Sequence, residues 1–346
     1  MISLAFLFLF SLLVTLYVMP HSIRKLTENN YVAKDMYKLN KPQIPTNAGI
    51  VLIFTSFIAI SLFPLFIKIW NFQGYFPIEM VDFNETNLAL LLVISIYALY
   101  GLVDDLVDVG RILKLILPIT FSFSLITVIN IDFFTLPFYG TYNLNASIYG
   151  SLEWEDLFRI IIIPVYVMVV ANLVNMHSGY NGLQSGLSVI LIATLIIKSL
   201  IDNDTSNIWP VSAILGSLVA FLWYNKYPAK VFEGNIGSLF FGSTIGVIIV
   251  IQKYWWFGFF ILLPHTFNLL LWICWLYLMR SNPRLYLDST GSHQKFGRIR
   301  SDNSISVPNF FTLKWIPNYF FNLSEKQSTN IQYIITTIFC LIGLII

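Results

Sequence analysis

The sequence predicts an all-α fold, a polytopic integral membrane protein with about ten transmembrane helices. The 346 residues are 57% hydrophobic and 11% charged, with a mean hydropathy of +0.73, whereas soluble domains carry about 25% charged residues. The apolar residues form long unbroken runs rather than alternating ones, as expected of helices that satisfy their own backbone hydrogen bonds in lipid. The net charge of +2 gives no information about nucleic acid, and we expect no nucleic-acid partner.

Ten apolar runs approach the ~20 residues that a helix needs to cross a bilayer. They cover residues 2–20, 48–70, 87–103, 113–131, 160–177, 185–201, 208–224, 236–252, 255–279 and 330–346. The first run lacks a basic leader and a small-residue cleavage site, so we expect a retained anchor rather than a signal peptide. Residues 1–346 are expected to form one membrane domain, in which a long loop, 280–327, caps one face.

Lysine and arginine lie mostly on one side of these runs. The loops after runs one, three, five, seven and nine contain all of the 20 cations except Lys68, Arg159, Lys198 and Lys253. By the positive-inside rule these loops are cytoplasmic and both termini face outward. Five loops can therefore converge on one cytoplasmic face, which is the expected location of any active site.

An acidic cluster ends the third run. Asp104, Asp105 and Asp108 follow a long uncharged stretch, and Arg111 and Lys114 come one and two turns later. Such acids are costly if they face lipid. We therefore expect them at a water boundary, where carboxylates hold Mg²⁺ or act on a reacting phosphate. The alternative is a solvated helix end with pairing between Asp108 and Arg111.

Amide side chains mark the end of the fifth run. Asn172 and Asn175 share a helical face, and Gly179 and Gly182 follow them. Amides can coordinate a hard cation or bind the edge of a nucleobase, but hydrogen bonding between membrane helices is an equal alternative. His177 has no second His or Cys at metal spacing, and we expect it to be structural.

Glycines flank the start of the eighth run. Gly234 and Gly237 would let backbone N–H groups approach phosphate oxygens at a helix N-terminus, and Phe232 is suited to stack on a base. A simple tight turn is the alternative. The lysines of the first cytoplasmic loop, 33–49, either attract an anionic lipid headgroup or only reflect the positive-inside rule.

The last cytoplasmic loop carries Arg284, His293, Arg298 and Arg300. Arginine side chains suit diphosphates because their fork of donors matches phosphate oxygens. A generic basic loop is the alternative.

Together these motifs resemble the polyprenyl-phosphate N-acetylhexosamine-1-phosphate transferases, and most closely their eukaryotic and archaeal dolichyl-phosphate GlcNAc-1-phosphate transferase branch. The resemblance covers roughly residues 30 to 300 and five motifs in the same order on one face. Its residues are Ile44-Pro45 with Gly49, Gly101 to Asp105, Asn172 to Asn175, Gly179 to Leu183, Asn225 to Gly234, and Pro264 to Asn268.

The resemblance implies transfer of GlcNAc-1-phosphate from UDP-GlcNAc to dolichyl or another polyprenyl phosphate, with release of UMP. The product would begin a lipid-linked oligosaccharide for protein N-glycosylation. The implied cofactor is Mg²⁺, with Mn²⁺ as the alternative. Membrane lipid is the expected surrounding, and a homodimer is one possible assembly. We expect an archaeal-like cell membrane rather than the endoplasmic reticulum.

The resemblance also assigns roles to individual residues. The implied catalytic residues are Asp104, Asp105 and Lys114, the acidic pair organising the lipid phosphate and Lys114 lying near the reacting phosphates. The implied metal positions are Asn175 and Asn235. Asn181 would pair with uracil and Phe232 would stack on it, within a substrate-binding set of Asn181, Gly182, Phe232, Gly234, Arg284, Arg298 and Arg300.

The chain departs from the family pattern at one metal position. Where the family usually has Gly-Asp, this chain has Gly234-Asn235. A neutral amide oxygen replaces a carboxylate, so we expect weaker Mg²⁺ binding. Glu233 is adjacent, but we expect it to point elsewhere because it is one residue out of register. The family's His-x-His-like stretch is absent, and Arg284 or the pair Arg298 and Arg300 are its candidate substitutes.

Three alternative functions remain open from the sequence. Intramembrane acids and amides also mark ion pathways, so a transporter is one. A member of the family that binds UDP-GlcNAc without turnover is the second, motivated by Asn235. The third is a bacterial-type enzyme of cell-wall synthesis that uses undecaprenyl phosphate and a different sugar donor.

Overall fold

The computed structural model describes residues 2–72, 83–107, 109–110, 113–136, 139–149, 152–281 and 296–345. Its helices are α1 Ile2–Glu28, α2 Gly49–Phe72, α3 Glu85–Val107, α4 Leu113–Thr120, α5 Trp154–Leu157, α6 Ile163–Met176, α7 Leu183–Ile201, α8 Trp209–Asn225, α9 Gly234–Ile251, α10 Trp255–Ile261, α11 Leu263–Ser281, α12 Ile316–Phe320 and α13 Glu325–Ile345. A π-helical turn, Phe158–Ile162, joins α5 to α6, and short 3₁₀ turns cover Phe123–Thr127 and Leu313–Trp315.

The all-α membrane architecture is confirmed, whereas a count of ten spans is not. In the described parts of the chain, seven helical stretches are long and apolar enough to cross a bilayer. An eighth span is added if α10 and α11, which meet at a bend of 63°, are taken together. The predicted run 113–131 is instead a short α4 followed by a 3₁₀ turn, and α8 has only 17 residues.

Helix α9 forms the centre of the bundle and packs on α3 and α6. It is the most buried of the long apolar helices. Two small residues permit these close approaches. A Cβ on Gly242 would lie 2.7 Å from Ala171 Cα on α6, and one on Gly101 would lie 2.7 Å from Ile236 Cα on α9. Small residues at such crossings are typical of membrane helices, whose association depends on close packing.

Four short antiparallel hairpins connect the helices. They pair β1 Val32–Lys34 with β2 Gln43–Pro45, β3 Phe133–Leu136 with β4 Gly140–Asn143, β5 Ser147–Tyr149 with β6 Leu152–Glu153, and β7 Arg298–Ile299 with β8 Ile305–Ser306. The first and last of these lie among the loops that were expected to be cytoplasmic.

Those loops converge at one end of the bundle. The backbone of Phe232 donates to Pro45 O at 2.8 Å, which joins the α8–α9 loop to the first hairpin. Lys314 Nζ donates to Ser178 O at 2.7 Å, which joins the last loop to the α6–α7 turn. The opposite end is held separately, for example by Gln252 Nε2 donating to Asp204 O at 2.8 Å. The expected single polar face is therefore formed by chain segments far apart in sequence.

Candidate active site

The acidic residue Asp105 caps the N-terminus of α9. One of its carboxylate oxygens accepts the backbone N–H of Asn235 at 3.0 Å and the other accepts that of Ile236 at 3.1 Å. The first N–H groups of a helix have no partner within it, and the helix dipole favours a negative charge there. Asp105 therefore joins the end of α3 to the start of α9.

Gly234 is required at this junction. Its φ is +71°, and a Cβ would lie 2.6 Å from Asn47 Oδ1 and 2.7 Å from Asp105 Oδ2. Only glycine adopts this backbone conformation readily, and only glycine leaves room for the carboxylate.

Asp104 is buried beside Asp105 and has three partners. Lys114 Nζ lies 2.8 Å from Asp104 Oδ1, which also accepts the backbone N–H of Val109 at 2.9 Å. Asp104 Oδ2 accepts Asn235 Nδ2 at 2.9 Å. The structure thus brings the three sequence-predicted catalytic residues, Asp104, Asp105 and Lys114, together with Asn235. Because Asn235 donates its amide nitrogen to Asp104, its oxygen is the atom left for another ligand.

Asn175 reaches the same place from the end of α6. Its Oδ1 accepts the hydroxyl of Ser238 on α9 at 2.8 Å. Asn172 does not join it, because Asn172 Nδ2 donates back to Met168 O at 2.9 Å within its own helix. His177 is buried against His265, with ring centroids 4.7 Å apart.

A cavity of about 350 Å³ opens between these groups. Its polar and aromatic lining comprises Lys34, Asp35, Tyr37, Thr46, Asp105, Asn175, Ser178, Tyr180, Asn181, Gln184, Asn225, Phe232, Glu233, Asn235, Ser238 and Phe296. Five of the sequence-predicted site residues therefore share one cavity with the backbone of Gly234: Asp105, Asn175, Asn181, Phe232 and Asn235.

Glu233 also lines this cavity, contrary to the expectation that it points elsewhere. Its Oε2 accepts Asn225 Nδ2 at 3.0 Å. Burial raises the pKa of the Glu233 carboxyl to about 7, since desolvation disfavours the charged form. The signal was present in the sequence as an acid next to Asn235, but the register argument assumed a regular helix start. The positive φ of Gly234 breaks that register.

Asn181 lies in the cavity wall with its side chain already bonded. Its Oδ1 accepts Lys38 Nζ at 3.0 Å and the backbone N–H of Ala229 at 2.9 Å. Neighbouring Gly182 has φ +74°, and its carbonyl accepts the hydroxyl of Tyr333. Gly182 therefore forms the turn into α7 and is absent from the cavity lining.

The arginines of the last loop are placed differently from the predicted phosphate clamp. Arg298 is exposed. The Arg300 guanidinium donates to Ser304 Oγ and to Asn322 Oδ1, and neither arginine lines the cavity. Arg284 lies outside the described residues, as do Asp108, Arg111 and His293.

The sequence argument gave no role to Lys314, which the fold buries beside the turn between α6 and α7. Its amine lies against the turn that carries Gly179, where a Cβ would collide with it, and burial lowers its pKa to about 8. Nothing in a single lysine of a basic loop distinguishes it from its neighbours before the fold is known.

The cavity offers oxygen atoms to a cation. Asp105 and Glu233 contribute carboxylates, and Asn175 and Asn235 contribute amide oxygens. Mg²⁺ is usually held by one or two carboxylates together with substrate phosphates. These residues therefore fit Mg²⁺ or Mn²⁺ bound jointly with a phosphorylated substrate. Within the described residues, no group of three His, Cys, Asp or Glu side chains could hold a metal alone.

Comparisons with known proteins identify the family. Residues 87–253 match the family model of glycosyl transferase family 4. A Saccharolobus solfataricus protein is 33% identical over 65% of this chain and 64% of its own length. A Sulfolobus acidocaldarius protein is 32% identical over 70% of each chain. Both are provisionally named UDP-N-acetylglucosamine–dolichyl-phosphate N-acetylglucosaminephosphotransferases.

A bacterial relative has a different name. The phospho-N-acetylmuramoyl-pentapeptide-transferase of a Nitratiruptor species is 30% identical over 71% of this chain and 72% of its own length. With all three relatives and the family model in agreement, the transferase interpretation is favoured over a transporter. This multi-pass membrane protein belongs to glycosyl transferase family 4.

Proposed function

We propose that this protein transfers GlcNAc-1-phosphate from UDP-GlcNAc to dolichyl or another polyprenyl phosphate and releases UMP. The observation that carries the proposal is the cavity at the N-terminus of α9, which combines Asp105, two amides and the ring of Phe232. The family supports sugar-phosphate transfer to a polyprenyl phosphate, and the names of the two archaeal relatives supply the specific donor and acceptor.

The reaction needs positioning and charge stabilisation more than a strong base. An oxygen of the lipid phosphate attacks the phosphorus that bears the sugar, and a new P–O bond forms. The bond from that phosphorus to the bridging oxygen breaks, and UMP leaves with this oxygen. No proton has to be removed from the nucleophile, because the lipid phosphate is already an anion at neutral pH.

The protein's own groups then have distinct tasks. Lys114, held by Asp104, favours anionic phosphates, whereas the N–H groups of Asn235 and Ile236 at the start of α9 are paired with Asp105. The Asp104–Asp105 pair fixes this cationic side chain and the helix end relative to each other. Phe232 provides a face on which the uracil can stack. Such preorganised groups stabilise charge that develops in the transition state.

Family members generally depend on a divalent metal. Asn175, Asn235 and the carboxylates of Asp105 and Glu233 would hold it in this chain. When bound, Mg²⁺ or Mn²⁺ supplies positive charge that lowers the repulsion between two phosphorylated substrates.

The site is expected on the cytoplasmic side of a cell membrane, since the positive-inside rule places its loops there. The polyprenyl chain would then lie in the surrounding lipid. The bacterial relative provides a second candidate, transfer of a phospho-MurNAc-pentapeptide to a polyprenyl phosphate.

The test is UMP release by the purified protein in detergent with Mg²⁺. UDP-GlcNAc and UDP-MurNAc-pentapeptide are each offered with dolichyl phosphate and with undecaprenyl phosphate. We expect UMP from UDP-GlcNAc only when dolichyl phosphate and metal are both present. Asp105→Asn should reduce it by at least about 100-fold, the range found when one preorganised group is removed from an active site.

Asp202→Asn is the matched control, because Asp202 pairs with Lys198 at the opposite end of the bundle. Asn235→Asp should lower the Mg²⁺ concentration needed for half-maximal rate. UMP from UDP-MurNAc-pentapeptide alone would support the bacterial candidate instead. Absence of UMP from wild type and Asn235→Asp with every donor and acceptor would rule out the transferase proposal.

A further inference from the structure

A largely buried network of charges borders the cavity, and its members Asp35 and Asn181 belong to the cavity lining. Lys38 Nζ is 3.1 Å from Asp35 Oδ2 and 3.0 Å from Asn181 Oδ1, and it also contacts Glu325 Oε2. Asp35, Asn181 and Glu325 are each less than 5% exposed. The ammonium also lies 4.4 Å from the ring centroid of Tyr227. Four segments of the chain therefore meet at Lys38. None of the steps in the proposed transfer reaction uses these contacts.

The network leaves Asn181 with little free hydrogen-bonding capacity. Its Oδ1 accepts both Lys38 Nζ and the backbone N–H of Ala229. Its Nδ2 donates to Asp35 Oδ2 at 3.2 Å, and its backbone N–H donates to Glu325 Oε1 at 2.6 Å. An amide oxygen has two lone pairs and an amide nitrogen has two hydrogens. Counting the described partners, the side chain of Asn181 retains one amide hydrogen for a ligand.

The orientation of this amide is fixed by its neighbours. Rotation by half a turn would place the NH₂ group against the Lys38 ammonium and the Ala229 N–H, which are both donors. The same rotation would place the amide oxygen against the Asp35 carboxylate. Both contacts would leave buried polar groups without partners, which is strongly unfavourable in a site of low dielectric.

We propose that Lys38, Asp35 and Glu325 are positioning residues that hold Asn181 as a single hydrogen-bond donor toward the nucleotide. The base would then be recognised through one carbonyl oxygen while it stacks on Phe232, which lines the same cavity. This inference rests on the proposed function, because it takes a uridine nucleotide as the ligand. It assigns the selectivity of the base site to charges that touch Asn181 rather than the nucleotide.

The test measures binding of UDP, 2-thio-UDP and 4-thio-UDP by isothermal titration calorimetry. The full chain is used in detergent with Mg²⁺. Sulfur is a much weaker acceptor than oxygen, so the analogue that carries sulfur where Asn181 donates should bind about tenfold more weakly than UDP. The two analogues place the sulfur at the two alternative carbonyls, and the wild type therefore identifies which one is used.

Variants then test whether the charged network controls the orientation of the Asn181 amide. The double variant Asp35→Asn/Lys38→Met removes one charge of each sign and two of the three groups that fix the Asn181 amide. Only the Ala229 N–H then opposes rotation of the amide, and the sulfur penalty should decrease. Lys38→Arg should retain it because a cation remains. Lys41→Met is the matched control: it removes a charge from the same loop at an exposed residue. Glu325→Gln alone is the second variant, with a reduced penalty expected, should the double variant fail to fold.

The outcomes are distinct. Equal affinities for the three nucleotides in the wild type would overturn the inference and leave the proposed function standing. A penalty that persists unchanged in the folded double variant or in Glu325→Gln would also overturn it, because the network would then be purely structural. No binding of UDP by the wild type would instead overturn the proposed function.

Discussion

At the scale of single residues, Gly234 combines a positive φ of +71° with a carboxylate at the position of its missing Cβ. These two properties can be separated by comparison with Gly140. That glycine has φ +104° but nothing within 4 Å of its would-be Cβ. An alanine would be strained at both positions, and displacement of Asp105 is expected only at Gly234.

Gly234→Ala should therefore reduce UMP release by at least about tenfold, since small misplacements of catalytic groups have large effects on rate. Gly140→Ala should leave the rate unchanged and lower only the melting temperature. The measurement is the initial rate of UMP release together with Tm for both variants. Similar losses of rate in the two would show that strain alone, rather than contact with Asp105, is responsible.

Glu233 is the other residue whose chemistry departs from its ordinary range. Burial raises the pKa of this carboxyl to about 7. A proton is therefore bound more tightly in the folded than in the unfolded state. The contribution of this carboxyl to the free energy of unfolding is greatest below its ordinary pKa of 4.5. That contribution is lost as the pH rises toward 7.

Glu233→Gln removes this titration. In EDTA, we expect Tm of the wild type to decrease relative to Glu233→Gln as the pH is raised from 5 to 8. Thermal unfolding followed by intrinsic fluorescence measures the difference. Glu28→Gln, at an exposed residue, is the control. If the wild type and Glu233→Gln keep a constant difference in Tm over this range, Glu233 does not titrate there.

At the scale of elements, apolar content predicts where helices lie along the chain but not where a helix breaks or bends. The helices α2, α3 and α9 begin and end within about four residues of the predicted runs, because charged or turn-forming residues bound them. The run 113–131 is equally apolar, yet it breaks after α4, where Tyr97 donates to Pro118 O at 2.8 Å. The bend of 63° between α10 and α11 was likewise not predicted from hydropathy. Hydropathy carries no information on direction, so the count of spans was the weakest part of the prediction.

The crossing of α6 and α9 gives a prediction at this scale. In Gly242→Ala the new Cβ would meet backbone atoms of Ala171 at 2.7 Å. Backbone cannot move aside as a flexible side chain can, and overpacking typically costs about 1–3 kcal/mol. We expect a clear decrease in Tm. Gly246→Ala is the graded control, since its nearest contact is 3.2 Å. An equal or larger decrease for Gly246→Ala would contradict this account of the crossing.

At the scale of the whole molecule, the uneven distribution of Lys and Arg led us to expect that several loops converge on one face, and the structure brings loops from that side together. The sequence also assigned Asp104, Asp105, Lys114 and Asn235 to one site through the family resemblance, and the structure brings these four residues together. The network around Lys38 could not be predicted. Lys38 and Glu325 are 287 residues apart, and each looks like an ordinary surface charge until the fold buries it.

This separation has a consequence for biosynthesis. The network beside the proposed nucleotide cavity needs the start of α13, whereas Lys38 and Asp35 leave the ribosome long before it. At a synthesis rate of about 5–20 residues per second, the delay is roughly 15–60 s. During that interval the first loop holds a lysine without its later carboxylate partner, and Asn181 lacks the group that accepts its backbone N–H. A nascent chain inserted only through α11 would thus contain the acidic pair and still lack a fixed base site, so nucleotide selectivity would be acquired only near the end of membrane insertion.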